Sequence, residues 1–138
     1  MKGQRTLFSK QSGDWRTPKA IFHALNSEFE FTLDPCPTNG ISEFNGLIDN
    51  WNERCFINPP YSQIGKWIEK AMLEIRASRT KIAVFLIPAR TDRPWFHDYC
   101  LSMADEIRFI RGRLRFEGAK WNAPFPSMIV IFRASKLT

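Results

Sequence analysis

The chain has 138 residues, of which 43% are hydrophobic and 25% charged, so we expect one globular domain and exclude disordered and fibrous classes. The longest apolar runs are too short to cross a bilayer and the N-terminus lacks a signal-peptide core, which predicts a cytoplasmic protein without a membrane partner. The net charge of +6 is uneven: residues 1–75 carry 8 Lys/Arg and 9 Asp/Glu, whereas residues 76–138 carry 12 and 5. The basic second half suits a polyanion such as nucleic acid, although a solvated basic surface would give the same count.

The cysteines indicate no special chemistry. Cys36, Cys55 and Cys100 are an odd number without C-x-x-C spacing, and the chain has only two histidines. This pattern indicates neither a disulfide framework nor a metal site, so we predict reduced thiols that pack in the interior.

A polar arm and a helix come first in the chain. Residues 1–13 are polar and aperiodic, which predicts a flexible arm before a single domain over 14–138. Thr17 is a suitable N-cap residue and Pro18 a suitable first helical residue. Together with the apolar positions that follow, they predict a helix over 18–28.

Two strands and a second helix are predicted next. Residues 29–33 alternate between apolar and polar, which predicts a strand that ends at the turn-rich stretch 34–40. A second strand is predicted over 54–58, whereas residues 41–53 have no clear assignment. Apolar residues then recur at helical spacing, which predicts a helix over 62–78.

The remaining elements define the fold class. The apolar run 81–87 is typical of a strand buried on both faces at the centre of a sheet. A short helix over 91–103 and two strands over 106–111 and 127–133 follow. We therefore predict a three-layer α/β sandwich whose sheet is mostly parallel, has about five strands and ends in an antiparallel C-terminal hairpin.

The most informative motif is the run from Asn58 to Tyr61, Asn-Pro-Pro-Tyr, between a predicted strand and a predicted helix. Open α/β sheets bind their ligands at such positions. The prolines restrict the backbone and offer carbonyl acceptors without N–H donors. A planar group with an amino donor, such as a nucleobase, could hydrogen-bond to the Asn58 side-chain oxygen and the Pro59 carbonyl while stacking on Tyr61. A rigid proline turn is the alternative.

An ordered set of short motifs runs along the chain from about residue 14 to residue 133. The motifs are Trp15-x-Thr17-Pro18, Leu33-Asp34-Pro35-Cys36, Phe56-x-Asn58-Pro59-Pro60-Tyr61, Pro88-Ala89-Arg90-Thr91-Asp92, Trp95-Phe96, Gly112-Arg113-Leu114-x-Phe116 and Pro126-Ser127. With this set the chain resembles a phage-type DNA N6-adenine methyltransferase of the Dam-like family found in bacteriophages and prophages. The resemblance implies a compact Rossmann-like fold, S-adenosylmethionine as methyl donor and an adenine in double-stranded DNA as acceptor.

The resemblance also implies roles for particular residues. Tyr61, joined by Trp95 or Trp121, would hold an extruded adenine by stacking, because an enzyme cannot reach N6 productively inside a duplex. The turn after the first predicted strand would hold the methionine end of the cofactor. The implied catalytic residues are Asn58, Pro59, Pro60 and Tyr61. The implied cofactor residues are Thr17, Pro18, Asp34, Cys36, Asn39 and Asp49, with Glu43 as an alternative ribose ligand.

The DNA contacts are predicted from the basic second half. Arg111, Arg113 and Arg115 alternate, so in a strand they would share one face and form either a phosphate-binding ridge or an ordinary solvated edge. The loop over about 112–126 is the predicted reader of the DNA site. The full set of predicted DNA-binding residues is Arg90, Arg111, Arg113, Arg115, Lys120 and Trp121.

Two other functions remain open from the sequence. The same acceptor pair would suit a methyltransferase that acts on RNA adenine or on a protein glutamine. The first loop departs from the wider methyltransferase pattern, since it has the single glycine Gly40. A degenerate member that binds nucleic acid and has lost the cofactor is therefore the second alternative.

Overall fold

The structure is a computed structural model that describes residues 15–37 and 43–137. The arm predicted over 1–13 lies outside the described residues. In chain order the elements are helix α1 (Lys19–Phe29), strand β1 (Arg54–Ile57), a 3-10 turn (Tyr61–Gln63), helix α2 (Ile64–Arg76), strand β2 (Ile82–Pro88), a π-helical segment (Phe96–Leu101), strand β3 (Glu106–Phe109), strand β4 (Ser127–Arg133) and helix α3 (Ala134–Leu137).

The strands form one open, mixed sheet in the order β1-β2-β4-β3. Strands β1 and β2 are parallel, whereas β4 is antiparallel to both β2 and β3. The prediction of an α/β fold with an antiparallel C-terminal pair is confirmed. The prediction of about five mostly parallel strands is wrong, because the described sheet has four strands and a single parallel pair. The central position of β2 is confirmed, since every residue of that strand is buried.

The strand predicted over 29–33 is the clearest error. Phe29 is the last residue of α1, and Glu30 ends the helix in the left-handed conformation with φ 53°. Phe29 lies four positions after Leu25, and both side chains are buried, so the helical period governs this residue rather than the alternation. Of the predicted strand, Leu33 forms an isolated parallel bridge to Cys55, and the Thr32 N–H donates to the Arg54 carbonyl at 2.7 Å, but the segment is not a strand.

The other elements agree with the prediction apart from their bounds. Helices α1 and α2 match the segments predicted over 18–28 and 62–78, and β4 matches the strand predicted over 127–133. The predicted cap of α1 is wrong, because Pro18 is the N-cap, Lys19 is the first helical residue, and the Thr17 hydroxyl is bonded by Asn58 instead of capping the helix. The helix predicted over 91–103 is π-helical in its middle. Strand β3 ends at Phe109, two residues earlier than predicted, and Gly112 soon follows with φ 76°.

The core has two parts, one on each face of the sheet. Phe56, Val84 and Leu86 point to the face that α1 covers, whereas Ile57 and Phe85 point to the face that α2 covers. This split follows from the two-residue period of a strand. Helices therefore cover both faces of the sheet, and polar loops lie at the ends of its strands.

The stretch 43–53, which had no sequence assignment, packs against the turn at Pro35. Gly46 lies so close to this turn that an added Cβ would be 2.0 Å from the Pro35 carbonyl oxygen. The buried carboxylate of Glu74 accepts the Trp51 backbone N–H at 2.7 Å and bonds Arg79 at 2.8 Å. The Arg79 bond is the main reason that the pKa of Glu74 is lowered to about 2. This network fixes the loop that supports the Asp34 turn.

Two negative findings apply to the described part of the chain. None of its helices is long and apolar enough to cross a membrane. Within residues 15–37 and 43–137, no group of three or more His, Cys, Asp or Glu side chains is placed to hold a metal ion.

Candidate active site

Asn58 directly follows β1 and is only 7% exposed. Its side-chain Nδ2 donates to the backbone carbonyl of Trp15 and, at 3.0 Å, to Oγ1 of Thr17. Its Oδ1 is buried, and no described residue donates a hydrogen bond to it. The amide therefore has both donor positions occupied and offers one acceptor, the kind of atom that an amino group binds.

Asn58 lines a cavity of about 530 Å³, which we name the Asn58 cavity. Its wall is built from the first turns of α1, the Asp34 turn, the end of β1 and the Glu117 turn. A volume of this size is typical of small-molecule and cofactor sites. The lining residues are Arg16, Thr17, Lys19, Phe22, His23, Asp34, Cys36, Phe56, Asn58, Glu117 and Gly118.

Asp34 is one of two acidic residues that line the Asn58 cavity, the other being Glu117. Asp34 is exposed toward the cavity, yet the surrounding protein removes enough hydration to raise the pKa of the carboxyl to about 6. The Cys36 backbone N–H donates to Oδ1 at 3.1 Å, so Asp34 also caps its own turn and this bond opposes the rise in pKa. No described cation is bonded to the carboxyl. A cationic ligand would therefore favour its ionised form.

Cys36 lies beside Asp34 and is half-buried. Burial, and then the Asp34 charge, raise the pKa of the thiol to about 12. The thiol is thus protonated at neutral pH, which suits a packing or contact role and excludes a thiolate nucleophile.

Tyr61 lines a second cavity, of about 490 Å³, which we name the Tyr61 cavity. Its walls combine aromatic rings with two arginines. The Tyr61 ring meets Phe125 edge to face at 5.5 Å, and the Arg90 guanidinium lies 5.9 Å from the Phe125 ring centre. Burial raises the pKa of Tyr61, and no described residue bonds its buried hydroxyl. The lining residues are Trp15, Tyr61, Ser62, Ile64, Gly65, Arg90, Arg93, Trp95, Pro124 and Phe125.

The structure divides the Asn-Pro-Pro-Tyr motif between the two cavities. Asn58 lines the first cavity and Tyr61 the second, with Trp15 beside both residues. Pro59 is buried, and the Pro60 carbonyl accepts the Gln63 N–H that opens the 3-10 turn. The motif thus places the Asn58 amide in the wall of the first cavity and the Tyr61 ring in the wall of the second.

The remaining predicted cofactor residues are only partly at this site. Thr17, Asp34 and Cys36 line the Asn58 cavity, and Pro18 immediately precedes α1. Asp49 lies apart from the lining and accepts the Asn45 N–H at 2.7 Å within its own loop. Glu43 is exposed and also outside the lining, whereas Asn39 lies outside the described residues.

Of the predicted DNA-binding residues, Arg90 follows β2 and lines the Tyr61 cavity. The other five lie in a long loop between β3 and β4, residues 110–126, which we name the 110–126 loop. Arg111, Arg113 and Arg115 are exposed, but they follow the end of β3, so the prediction that they share one face of a strand is wrong. The physical reason is Gly112, whose φ of 76° breaks the extended backbone. Trp121 is 74% exposed, and the Lys120 ammonium lies 5.7 Å from its ring.

Several lining residues were missed by the sequence analysis. Phe22, Glu117 and Phe125 come from three separate segments, and the cavities bring them together only through the fold. Arg93 had a usable signal, because it lies in the motif-rich stretch after β2 in the basic half of the chain.

The open α/β sheet with a polar motif directly after a parallel strand is consistent with a methyltransferase-like fold. The family model described as DNA N-6-adenine-methyltransferase (Dam) matches residues 4–137. The chain therefore belongs to the Dam family, as its motifs predicted. Comparisons with curated proteins and with solved structures found no match.

Proposed function

We propose that this protein transfers a methyl group from S-adenosylmethionine to N6 of an adenine extruded from double-stranded DNA. The observation that carries the proposal is the Asn58 amide, whose Nδ2 is bonded and whose Oδ1 is left as a buried acceptor. Membership of the Dam family supports DNA adenine as the acceptor. Protection of phage DNA in the cytoplasm of a bacterial host is the role that we infer for this activity.

The acceptor chemistry follows from the electronic structure of adenine. The lone pair of N6 is delocalised into the ring, which makes the amino group a poor nucleophile. Oδ1 of Asn58, with the Pro59 carbonyl as the second acceptor we propose, would accept the amino hydrogens and favour a tetrahedral nitrogen. The same bonds stabilise the positive charge that grows on N6 as it is methylated.

The Asn58 cavity fits the proposed methyl donor. Its volume is sufficient, and its desolvated Asp34 carboxyl would be neutralised by a cationic group such as an α-ammonium. Thr17 and Cys36, two further residues that the resemblance assigns to the cofactor, also line this cavity. When bound, S-adenosylmethionine supplies an electrophilic methyl whose bond to sulfur breaks as N6 bonds the carbon, leaving the electron pair on sulfur and a proton to pass to water.

The Tyr61 cavity suits a nucleobase and its backbone. Aromatic walls from Tyr61, Trp95 and Phe125 offer stacking surfaces for an extruded base. Arg90 and Arg93 line the same cavity and would neutralise the flanking phosphates. Asn58 lines the other cavity, but only two prolines separate it from Tyr61, so we propose that a base held here turns its amino edge toward the Asn58 amide.

The exposed arginines of the 110–126 loop should contribute to DNA affinity. We expect Arg113→Ala to weaken DNA binding at low salt and to reduce the slope of log K against log salt by about 0.9, the value for one phosphate contact. Fluorescence anisotropy with a labelled duplex at several salt concentrations measures this slope. Lys136→Ala, an exposed cation on α3, is the control and should leave the slope unchanged. An equal slope for Arg113→Ala and wild type would remove Arg113 from the phosphate contacts.

The function is tested by expressing the chain in a methylation-deficient bacterium and mapping N6-methyladenine by long-read sequencing. The proposal predicts methylation at one short recurrent site that is absent from the empty-vector strain. Calorimetry with S-adenosylmethionine adds a second test, because a module that only binds nucleic acid would release no heat. Methylation found in RNA or protein but absent from DNA would contradict the proposed substrate.

A further inference from the structure

The segment Trp15–Thr17, which we name the Trp15–Thr17 strap, lies against Asn58 and supplies both acceptors for its Nδ2. We propose that this strap is a positioning element, which fixes the Asn58 amide so that Oδ1 is its free acceptor. This inference rests on the proposed function and assigns Trp15 and Thr17 a part in it. Thr17 would then act through Asn58 in addition to lining the cavity.

The orientation of the amide is decided by the Trp15 carbonyl. The two ends of an asparagine amide have nearly the same shape, so half a turn exchanges donor and acceptor with little steric change. A backbone carbonyl can only accept a hydrogen bond, and in the turned amide it would face Oδ1, another acceptor. The Thr17 hydroxyl could donate or accept, and in the observed orientation it accepts the second bond from Nδ2 at 3.0 Å. The strap therefore selects one of the two orientations.

The strap is itself held by the 110–126 loop. Arg16 and Glu117 form an antiparallel bridge, in which the Glu117 N–H donates to the Arg16 carbonyl at 3.0 Å. The Trp15 ring packs against Phe116 at 5.5 Å and against Phe125 at 5.3 Å. The 110–126 loop, which carries the exposed arginines, is thus connected to the Asn58 amide through Trp15, Arg16 and Thr17.

The Trp15 carbonyl also gives a reason for asparagine rather than aspartate at position 58. A carboxylate would accept hydrogen bonds from an amino group at least as well as an amide oxygen does. It has no N–H for the Trp15 carbonyl, however, and would place a charged oxygen against it. The strap thus requires an amide for a reason separate from the chemistry at N6.

The first test compares Thr17→Val with Thr17→Ser in steady-state methylation of a duplex that carries the site found for the wild type. Thr17→Val keeps the shape but removes the bond to Nδ2, so we expect kcat to fall about tenfold, the size of one hydrogen bond, with both KM values within about twofold. Thr17→Ser restores the hydroxyl and should return kcat to within about threefold of wild type. A structural role alone would not produce this pairing of a kcat effect with rescue by serine.

The second test is Asn58→Asp, assayed with thermal melting as a check on folding. We expect kcat to fall at least about 100-fold while the affinity for DNA changes less than about twofold. Asn58→Asp with more than half the wild-type kcat would overturn the inference, because the donor side of the amide would then be dispensable.

The tests separate failure of the strap from failure of the function. A wild-type protein without methyltransferase activity refutes the proposed function. An active wild type together with an unchanged Thr17→Val variant refutes only the positioning role. An increase in the KM for S-adenosylmethionine at constant kcat would also refute it, because Thr17 would then act on the cofactor.

Discussion

Asn58→Ala should lower kcat for adenine methylation by about 10²–10³-fold, the cost of removing one preorganised group that stabilises transition-state charge. The variant lacks the Oδ1 acceptor, so the amino group of adenine would keep its planar, weakly nucleophilic form. DNA affinity should change less than about twofold, since phosphate contacts supply most of it. Single-turnover methylation and anisotropy measure the two quantities on the same duplex.

A matched control lies at the opposite end of the same strand. Asn52 precedes β1, is exposed, and bonds the Thr32 hydroxyl at 2.5 Å, away from both cavities. Asn52→Ala should keep wild-type kcat. A parallel loss of DNA affinity and kcat in Asn58→Ala would contradict the acceptor role, because it would indicate a damaged DNA-binding surface.

The second large effect concerns Asp34 and pH. A carboxyl with pKa about 6 is about one-tenth ionised at pH 5, so binding of a cationic cofactor should be about tenfold weaker at pH 5 than at pH 7. Asp34→Asn should bind S-adenosylmethionine weakly at both values and lose this dependence. Isothermal titration calorimetry of both proteins at pH 5, 6 and 7 measures it.

As the pH rises, titration of Asp34 should lower the free energy of unfolding but raise the affinity for the cofactor. The pKa of Asp34 is raised from 3.8 to about 6, so in that window the native carboxyl holds more protons than the unfolded one. Its contribution to the free energy of unfolding therefore falls as pH rises from about 4 to 6, while cofactor affinity increases. Asp98→Asn, at an exposed aspartate on the π-helical segment, is the control. Cofactor affinity that is equal at pH 5 and pH 7 would contradict a charge role for Asp34.

Local patterns predicted the helices and the central strand well. Thr17 and Pro18 predicted the start of α1 to within one residue, although Pro18 rather than Thr17 is the N-cap. The continuous apolar run of β2 correctly indicated a strand buried on both faces. These features depend on residues close in sequence, which is why they were visible without the structure. Sheet order was less accessible, because whether β4 pairs with β2 or only with β3 depends on contacts far apart in the chain.

The error over 29–33 has an instructive cause. Phe29 and Phe31 fit the alternation of a strand, but Phe29 also completes the buried stripe of α1 with Leu25. Phe29 fits both the two-residue period of a strand and the 3.6-residue period of a helix. It is helical in the structure because its side chain packs with that of Leu25 between the helix and the sheet. Arg111, Arg113 and Arg115 show the same limit of local patterns. Alternate residues share a face only in a strand, and these three lie in the 110–126 loop.

By itself the sequence determined the family, the α/β class and the position of the Asn-Pro-Pro-Tyr motif after a strand, because these depend on residue type and short spacing. Only the tertiary structure decided that Trp15 and Thr17 hold the Asn58 amide, 43 and 41 positions away in the chain. It also decided that Asn58 and Tyr61 face different cavities. Hydrogen-bond partners and desolvation depend on which segments the fold brings together, and no local period of the sequence records that.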